Sequence, residues 1–580
     1  MVATYQRLAA SLCQVIKMAT DAFSPQDAFA KNRAEEFGYD VWESFVVPPF
    51  FKRLSLGVSG KPKVIVGGRG CGKTMLLRYL SHDSMFSPRR TAISADSKSQ
   101  VGLYWRADTQ FAQLMAKRGV EDDTWYAAFR HLAALAMGKE ILRSLRSISA
   151  SVAGFVRDEE IARADFSRLH SFDPQLPPSY EGLFQSLEDR IDAFETWVNH
   201  VRDIPCPRFL PGEAFVKRLV DVVRSAFPGL RDAAFYVYVD EYENLATYQQ
   251  RIINTWLKHS EPPLVFNLAM KRNGFKTPLT TGDESLSHIH DYRKIDLERY
   301  DLEREFPVFA AEILFLNMML AGYTKSPVNL DVLRDPARLS ARKDKAYCTS
   351  VLGAMRDLLP DASQKDLAEA VFRDRVLCER FKETIQKGLR WRRRDLDPDQ
   401  FVDAQCPEAS IVISCLLFRD SLTLEEIAEE FDRLRRSESS RFTLPTDWVH
   451  NNFIGCLLQL YDGLSRPCPF YGGFSTFCYL SRGNLRHFLE LCHESFSRGY
   501  GAAEESTGAV PVEEQAEAAR QVSADFLKEI RSFGPQGNNL HTFVLRLGSV
   551  FSLSQQRLTQ SEPERDRKRP AEHVLDAVVA

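Results

Sequence analysis

Gly67-Gly68-Arg69-Gly70-Cys71-Gly72-Lys73-Thr74 is a stretch whose residue types and spacing suit the capture of a polyphosphate. Phosphate oxygens must be approached by backbone N–H groups. Glycines clear side chains from that approach and supply dihedrals that other residues resist. The pattern opens an expected helix, whose N-terminus adds positive partial charge. Lys73 has the reach for the β- and γ-phosphates of ATP, and the Thr74 hydroxyl is a ligand type for Mg²⁺. Chance yields the full pattern about once in tens of thousands of residues of average composition. Cys71 sits in an electropositive loop where a thiol can be reactive, although a small packing residue is the simpler reading.

A second constellation lies far downstream. Phe235, Val237 and Val239 alternate along an expected strand that ends in Asp240-Glu241. An Asp at such a strand end can hold Mg²⁺, and the following carboxylate can polarise an attacking water. Acidic turns end many ordinary strands, so the pair gains its meaning from the phosphate loop. Glu243 is the alternative to Glu241 if that side chain points away.

These residues need a scaffold that brings strand ends together. Lys63–Val66 reads as a buried strand, followed by the glycine turn and a helical stretch over Met75–Leu80. Val101–Arg106, Ala233–Val239, Leu264–Met270 and Tyr292–Leu297 are further strand candidates. Between Phe111 and Phe227, and again from Asp301 to Arg498, apolar residues recur at helical spacing. Strands alternating with helices predict an α/β fold: a parallel sheet flanked by helices, with a large helical insertion and a C-terminal all-helical lid. Parallel strands would set the loop and the acidic pair at the same sheet edge.

With GGRGCGKT and FYVYVDEYENL in place, the sequence resembles AAA+ ATPases of the origin-recognition and initiator type, which are related to STAND ATPases. SRGNLRHFLELC, residues Ser481–Cys492, looks like the sensor 2 helix of that group. The resemblance implies that Arg486 reaches the γ-phosphate from the lid, a task suited to a permanently charged guanidinium. The alternative is that Gly483-Asn484 is merely a turn and helix start, with Arg486 on a solvated face. For sensor 1 the sequence offers Lys271, Arg272 and Asn273. Asn273 fits the polar role, while Arg272 is similar to the arginine of the STAND group. Arg293 follows at about the position that the resemblance implies for an arginine finger, and an ordinary exposed arginine is at least as good a reading. Two departures stand out. The stretch between Lys73 and Asp240 is longer than a compact core needs, and little room follows Arg498 for a winged-helix DNA-binding domain.

At 580 residues the chain is expected to form several domains. These are a leader over 1–45, a nucleotide-binding core over 46–300 with its insertion near 115–230, and a lid over 301–500. A linker with C-terminal helices over 501–556 and a polar tail over 557–580 complete the division. The net charge of −3 gives no global attraction to DNA, which stays open as a partner but unsupported by charge. No apolar run is long enough for a signal peptide or a membrane span, so a cytoplasmic protein is expected. Eleven cysteines and twelve histidines show no metal-ligand spacing, leaving nucleotide-bound Mg²⁺ as the one expected metal. Leu389–Arg394 mixes arginines with Trp391, and Arg565–Arg569 is a charged run; solvated helix end and tail are the plainer readings. The family resemblance implies a homo-oligomer or a protein partner, in nucleoprotein remodelling or a prokaryotic defence-type system. A nucleotide-gated binding module with little turnover is the competing reading, and a small-molecule kinase a weaker one.

Overall fold

The computed structural model describes residues 34–54, 60–108, 111–299, 303–445, 447–500 and 508–555. Most of the expected leader, the first residues of the linker, the polar tail and the Arg565–Arg569 run lie outside the described residues.

Five strands form one sheet: β1 (Lys63–Val66), β2 (Gln100–Arg106), β3 (Ala234–Asp240), β4 (Leu264–Met270) and β5 (Arg293–Asp296). All pairings are parallel and the order is β2-β3-β4-β1-β5. The α/β expectation from the alternating strands and helices is borne out. β3 ends one residue later than its apolar run suggests, so Asp240 is itself the last strand residue.

Side-chain alternation explains why these strands are buried throughout. Val64, Val66, Phe235, Val237, Phe266 and Leu268 point into one core, shared with the long helix Asp122–Ser149. Ile65, Tyr104, Tyr236, Tyr238, Val265 and Ala269 point into another, shared with the helix Lys73–Leu80 and with Val41–Leu54. Neighbours in sequence thus serve opposite faces, as the period of two requires. The chain leaving Lys73–Leu80 crosses β2 so closely that a Cβ on Gly102 would lie 1.9 Å from the Leu80 carbonyl oxygen. Only glycine allows that crossing.

Between β2 and β3 run Asp122–Ser149, Tyr180–Asn199 and Glu213–Ala226, packed on one another through Leu187, Phe215 and Leu219. After β5 the described chain is helical. One core joins Glu305–Leu320, Lys345–Leu358, Phe474–Ser481 and Leu485–Tyr500, and a separate core joins Gln364–Arg373, Arg375–Trp391, Pro407–Leu416 and Trp448–Tyr461.

One buried ion pair fastens the segment before β1 to the helices after β5. Arg342 donates from Nε to Glu312 Oε1 at 2.8 Å and from Nη1 to the Val47 carbonyl at 2.6 Å, while Tyr347 donates to the same Oε1 at 2.8 Å. Neither charged side chain reaches water to any extent. Arg342→Ala strands the Glu312 carboxylate in the interior, and a loss of about 3–5 kcal/mol is expected. The readout is the denaturant midpoint of the transition that includes this unit. An unshifted midpoint would show that the pair does not hold the two segments together.

Candidate functional site

The glycine loop leaves β1 and turns into the helix Lys73–Leu80 through two left-handed residues, Gly70 at φ 82° and Gly72 at φ 89°. A side chain at either would be strained. A Cβ on Gly67 would come 2.5 Å from Cys71 Sγ, so the turn closes on a buried thiol. Burial pushes the Cys71 thiol up from its ordinary value, against the pull of Lys73, which fits a packing residue better than a nucleophile. Lys73 donates from Nζ to the carbonyls of Gly67 at 2.8 Å and Gly68 at 2.7 Å, which holds the ammonium over the loop.

Remote in the chain, Asp240 meets this loop. Thr74 donates from Oγ1 to Asp240 Oδ2 at 2.7 Å, the Tyr104 phenol donates to the same oxygen at 3.1 Å, and the Glu241 amide donates to Oδ1 at 2.9 Å. Asp240 is 1 % exposed. Burial raises its carboxyl above the ordinary range, and these three donors pull it back. Glu241 takes a left-handed backbone, φ 53°, which turns its side chain off the strand line. There Arg106 pairs with its Oε1 at 3.0 Å and Asn244 donates to its Oε2 at 2.9 Å. Arg106 is the register partner of Asp240, so the β2–β3 pairing brings it there.

A cavity of about 720 Å³ opens over the loop. The loop from Arg69 to Thr74, Asp240, Glu241, Glu243 and Lys271 form its polar end. Phe45, Val46 and Pro48 from before β1, with Ile313 and Leu489, are among its apolar lining. A hydrogen bond fastens the helical lid to the loop: Asn484 Nδ2 donates to the Arg69 carbonyl at 2.7 Å. The Asn484 Oδ1 accepts from the amides of Arg486 at 3.0 Å and His487 at 3.3 Å, capping the helix that carries Arg486. Arg486 lines the cavity and pairs with Glu529 at 3.6 Å.

Lys73, Thr74, Asp240, Glu241 and Arg486 therefore surround one space, as does Glu243. Asn273 does not line it; it sits exposed on the turn after β4, and Lys271 faces the cavity instead. Lys271 is held by Glu243, which accepts its amide at 3.3 Å and lies 3.6 Å from its Nζ. Arg272 turns away to Asp296 at 3.5 Å and Glu298 at 2.9 Å. Arg293 stands opposite Lys63, at the end of β1 remote from the loop. In the basic run, Arg392 donates to the carbonyls of Leu417, Leu422 and Arg419, whereas Trp391 is 49 % exposed. Tyr104, Arg106 and Glu529 escape the sequence reading, which counts Lys271 among the sensor 1 candidates and has Asn484 only as part of a turn; strand register and lid packing bring the three to the site.

The donor set fits a magnesium-bound triphosphate. A glycine-lined backbone faces the cavity, and a hydroxyl and a carboxylate lie 2.7 Å apart beside an ammonium. Among the described residues His82, Asp83 and Glu140 also cluster, but Arg143 pairs with both carboxylates there. No helix of the described residues is long and apolar enough to cross a membrane. In comparison with known proteins, the ORC-CDC6-like family model matches residues 27–567. No curated protein and no solved structure matches.

Gly70 tests how tightly lid and loop are joined. A Cβ there would lie 2.4 Å from Arg486 Cβ and 2.8 Å from Asn484 Oδ1. Gly70→Ala is expected to unseat the lid and to weaken binding of a fluorescent ATP analogue by about tenfold or more, with two packed contacts and a backbone preference lost together. Unaltered affinity would show that lid and loop are not in this contact when nucleotide binds.

Proposed function

The chain belongs to the ORC-CDC6-like family, and from that premise we propose that it is an ATP-binding and ATP-hydrolysing AAA+ switch. The observation that carries this reading is the 2.7 Å bond from Thr74 to Asp240, which joins the phosphate loop to the acidic strand at one point. Lys73 exchanges its loop carbonyls for the β- and γ-phosphates. Thr74 and Asp240 hold Mg²⁺, which supplies charge neutralisation to the phosphates when bound. Glu241 orients the attacking water and takes up its proton. For that it must leave Arg106 and Asn244, so the pair of donors keeps the carboxylate out of the reaction until the site rearranges.

Arg486 meets the γ-phosphate from the lid and loses that partner when the phosphate departs. The core–lid angle then follows the nucleotide, because Asn484 and Arg486 sit two residues apart at one capped helix start. The work coupled to this motion is remodelling of a nucleic acid or protein partner, within a homo-oligomer or a defence-type assembly; support for that part is the family resemblance alone.

Two substitutions test the reading. Lys73→Ala is expected to abolish ATP binding in equilibrium titration. Glu241→Gln is expected to bind ATP as the native chain does but to release phosphate tenfold or more slowly, about the scale of a positioned base. Native turnover in Glu241→Gln would remove Glu241 from the chemistry. Phosphate release measured over a range of protein concentrations and with a panel of nucleic acids reports on subunit and partner dependence.

A further inference from the structure

Glu529 has no place in the chemistry above, yet its carboxylate lines the same cavity and pairs with Arg486 at 3.6 Å. It is the last residue of the helix Val512–Glu529, where the negative end of the helix dipole disfavours an anion. Among the described residues Arg486 is the one cationic side chain paired with it. The two helices are fixed against each other one residue away, where the His487 ring lies 4.6 Å from the ring of Phe526. Burial lowers the His487 imidazole to about 4, so at neutral pH it brings no charge to compete with Arg486.

On the reading that Arg486 meets the terminal phosphate, we propose that Glu529 is a specificity-determining residue of the nucleotide site. The carboxylate and the γ-phosphate are rival anions for one guanidinium. A nucleoside triphosphate must displace Glu529 to engage Arg486, whereas a diphosphate leaves the pair intact. Glu529 thereby lowers the affinity for ATP without lowering that for ADP, and keeps the two nucleotides closer in affinity than the loop alone would. Glu529 leads directly into the turns Ile530–Ser532 and Gly534–Gln536, and these into the helix Gly537–Gln555, which exposes Phe543, Val550 and Leu553.

The test is equilibrium binding of ADP and of a non-hydrolysable ATP analogue to the full chain. It compares the native protein with Glu529→Gln, Arg486→Ala and the double variant. The pair is partly exposed, so the effect is modest. Glu529→Gln is expected to tighten the triphosphate about two- to fivefold and to leave ADP unchanged. In the Arg486→Ala background the same substitution is expected to change neither. Glu529→Asp, which keeps the charge but withdraws it, is expected to fall between native and Glu529→Gln. Equal shifts for both nucleotides, no shift, or a shift that survives loss of Arg486 would overturn the proposal. If Arg486→Ala by itself leaves triphosphate affinity intact, the reading of the site fails at its root. If it weakens the triphosphate while Glu529→Gln is unselective, only the rivalry falls.

Discussion

The site depends on a single buried carboxylate that cannot be left alone. Asp240 sits at the end of β3, and β4 separates that strand from β1, so the acidic strand and the loop strand never touch. They meet only above their ends, where Thr74, Tyr104 and the Glu241 amide all donate to Asp240. A charge removed from water needs such donors, since each one missing leaves desolvation uncompensated by about 1–3 kcal/mol. The requirement reaches back into the fold. Tyr104 must face the same side of the sheet as the loop helix, which fixes the register of β2 against β3.

From that register the neighbouring chemistry follows. Arg106 lies opposite Asp240 and so arrives beside Glu241, whose left-handed backbone swings the carboxylate toward it. The same geometry that satisfies one acid therefore restrains the next. The lid uses another device. Asn484 caps its own helix with Oδ1 and holds a loop carbonyl with Nδ2, so one side chain both orients the helix start that carries Arg486 and ties it to the loop.

Much of the scaffold was legible in the sequence, because strands buried on both faces are unbroken apolar runs, and Leu264–Met270 matches its strand residue for residue. The glycine turn was legible because phosphate binding constrains consecutive residues. The strand order, and with it Tyr104 and Arg106, was not, since pairing between strands far apart in sequence leaves no mark on spacing. After β4 three polar residues in succession compete for one role. Residue type favours Asn273, while the turn aims Lys271 at the cavity and leaves Asn273 in solvent. Glu529 lies beyond a linker-like composition, where pattern gives no reason to look for a cavity wall.

The cavity is walled by stretches that the chain visits at widely separated times: residues between 34 and 50, the strand ends with their loops, the helix Glu305–Leu320, and the helices that carry Arg486 and Glu529. On a ribosome these appear in that order. The loop and the acidic strand emerge long before Glu529, the residue that pairs with Arg486. A nascent chain would thus hold the glycine loop and the acidic pair before the last wall exists, and would acquire the complete enclosure only after translation has passed Glu529.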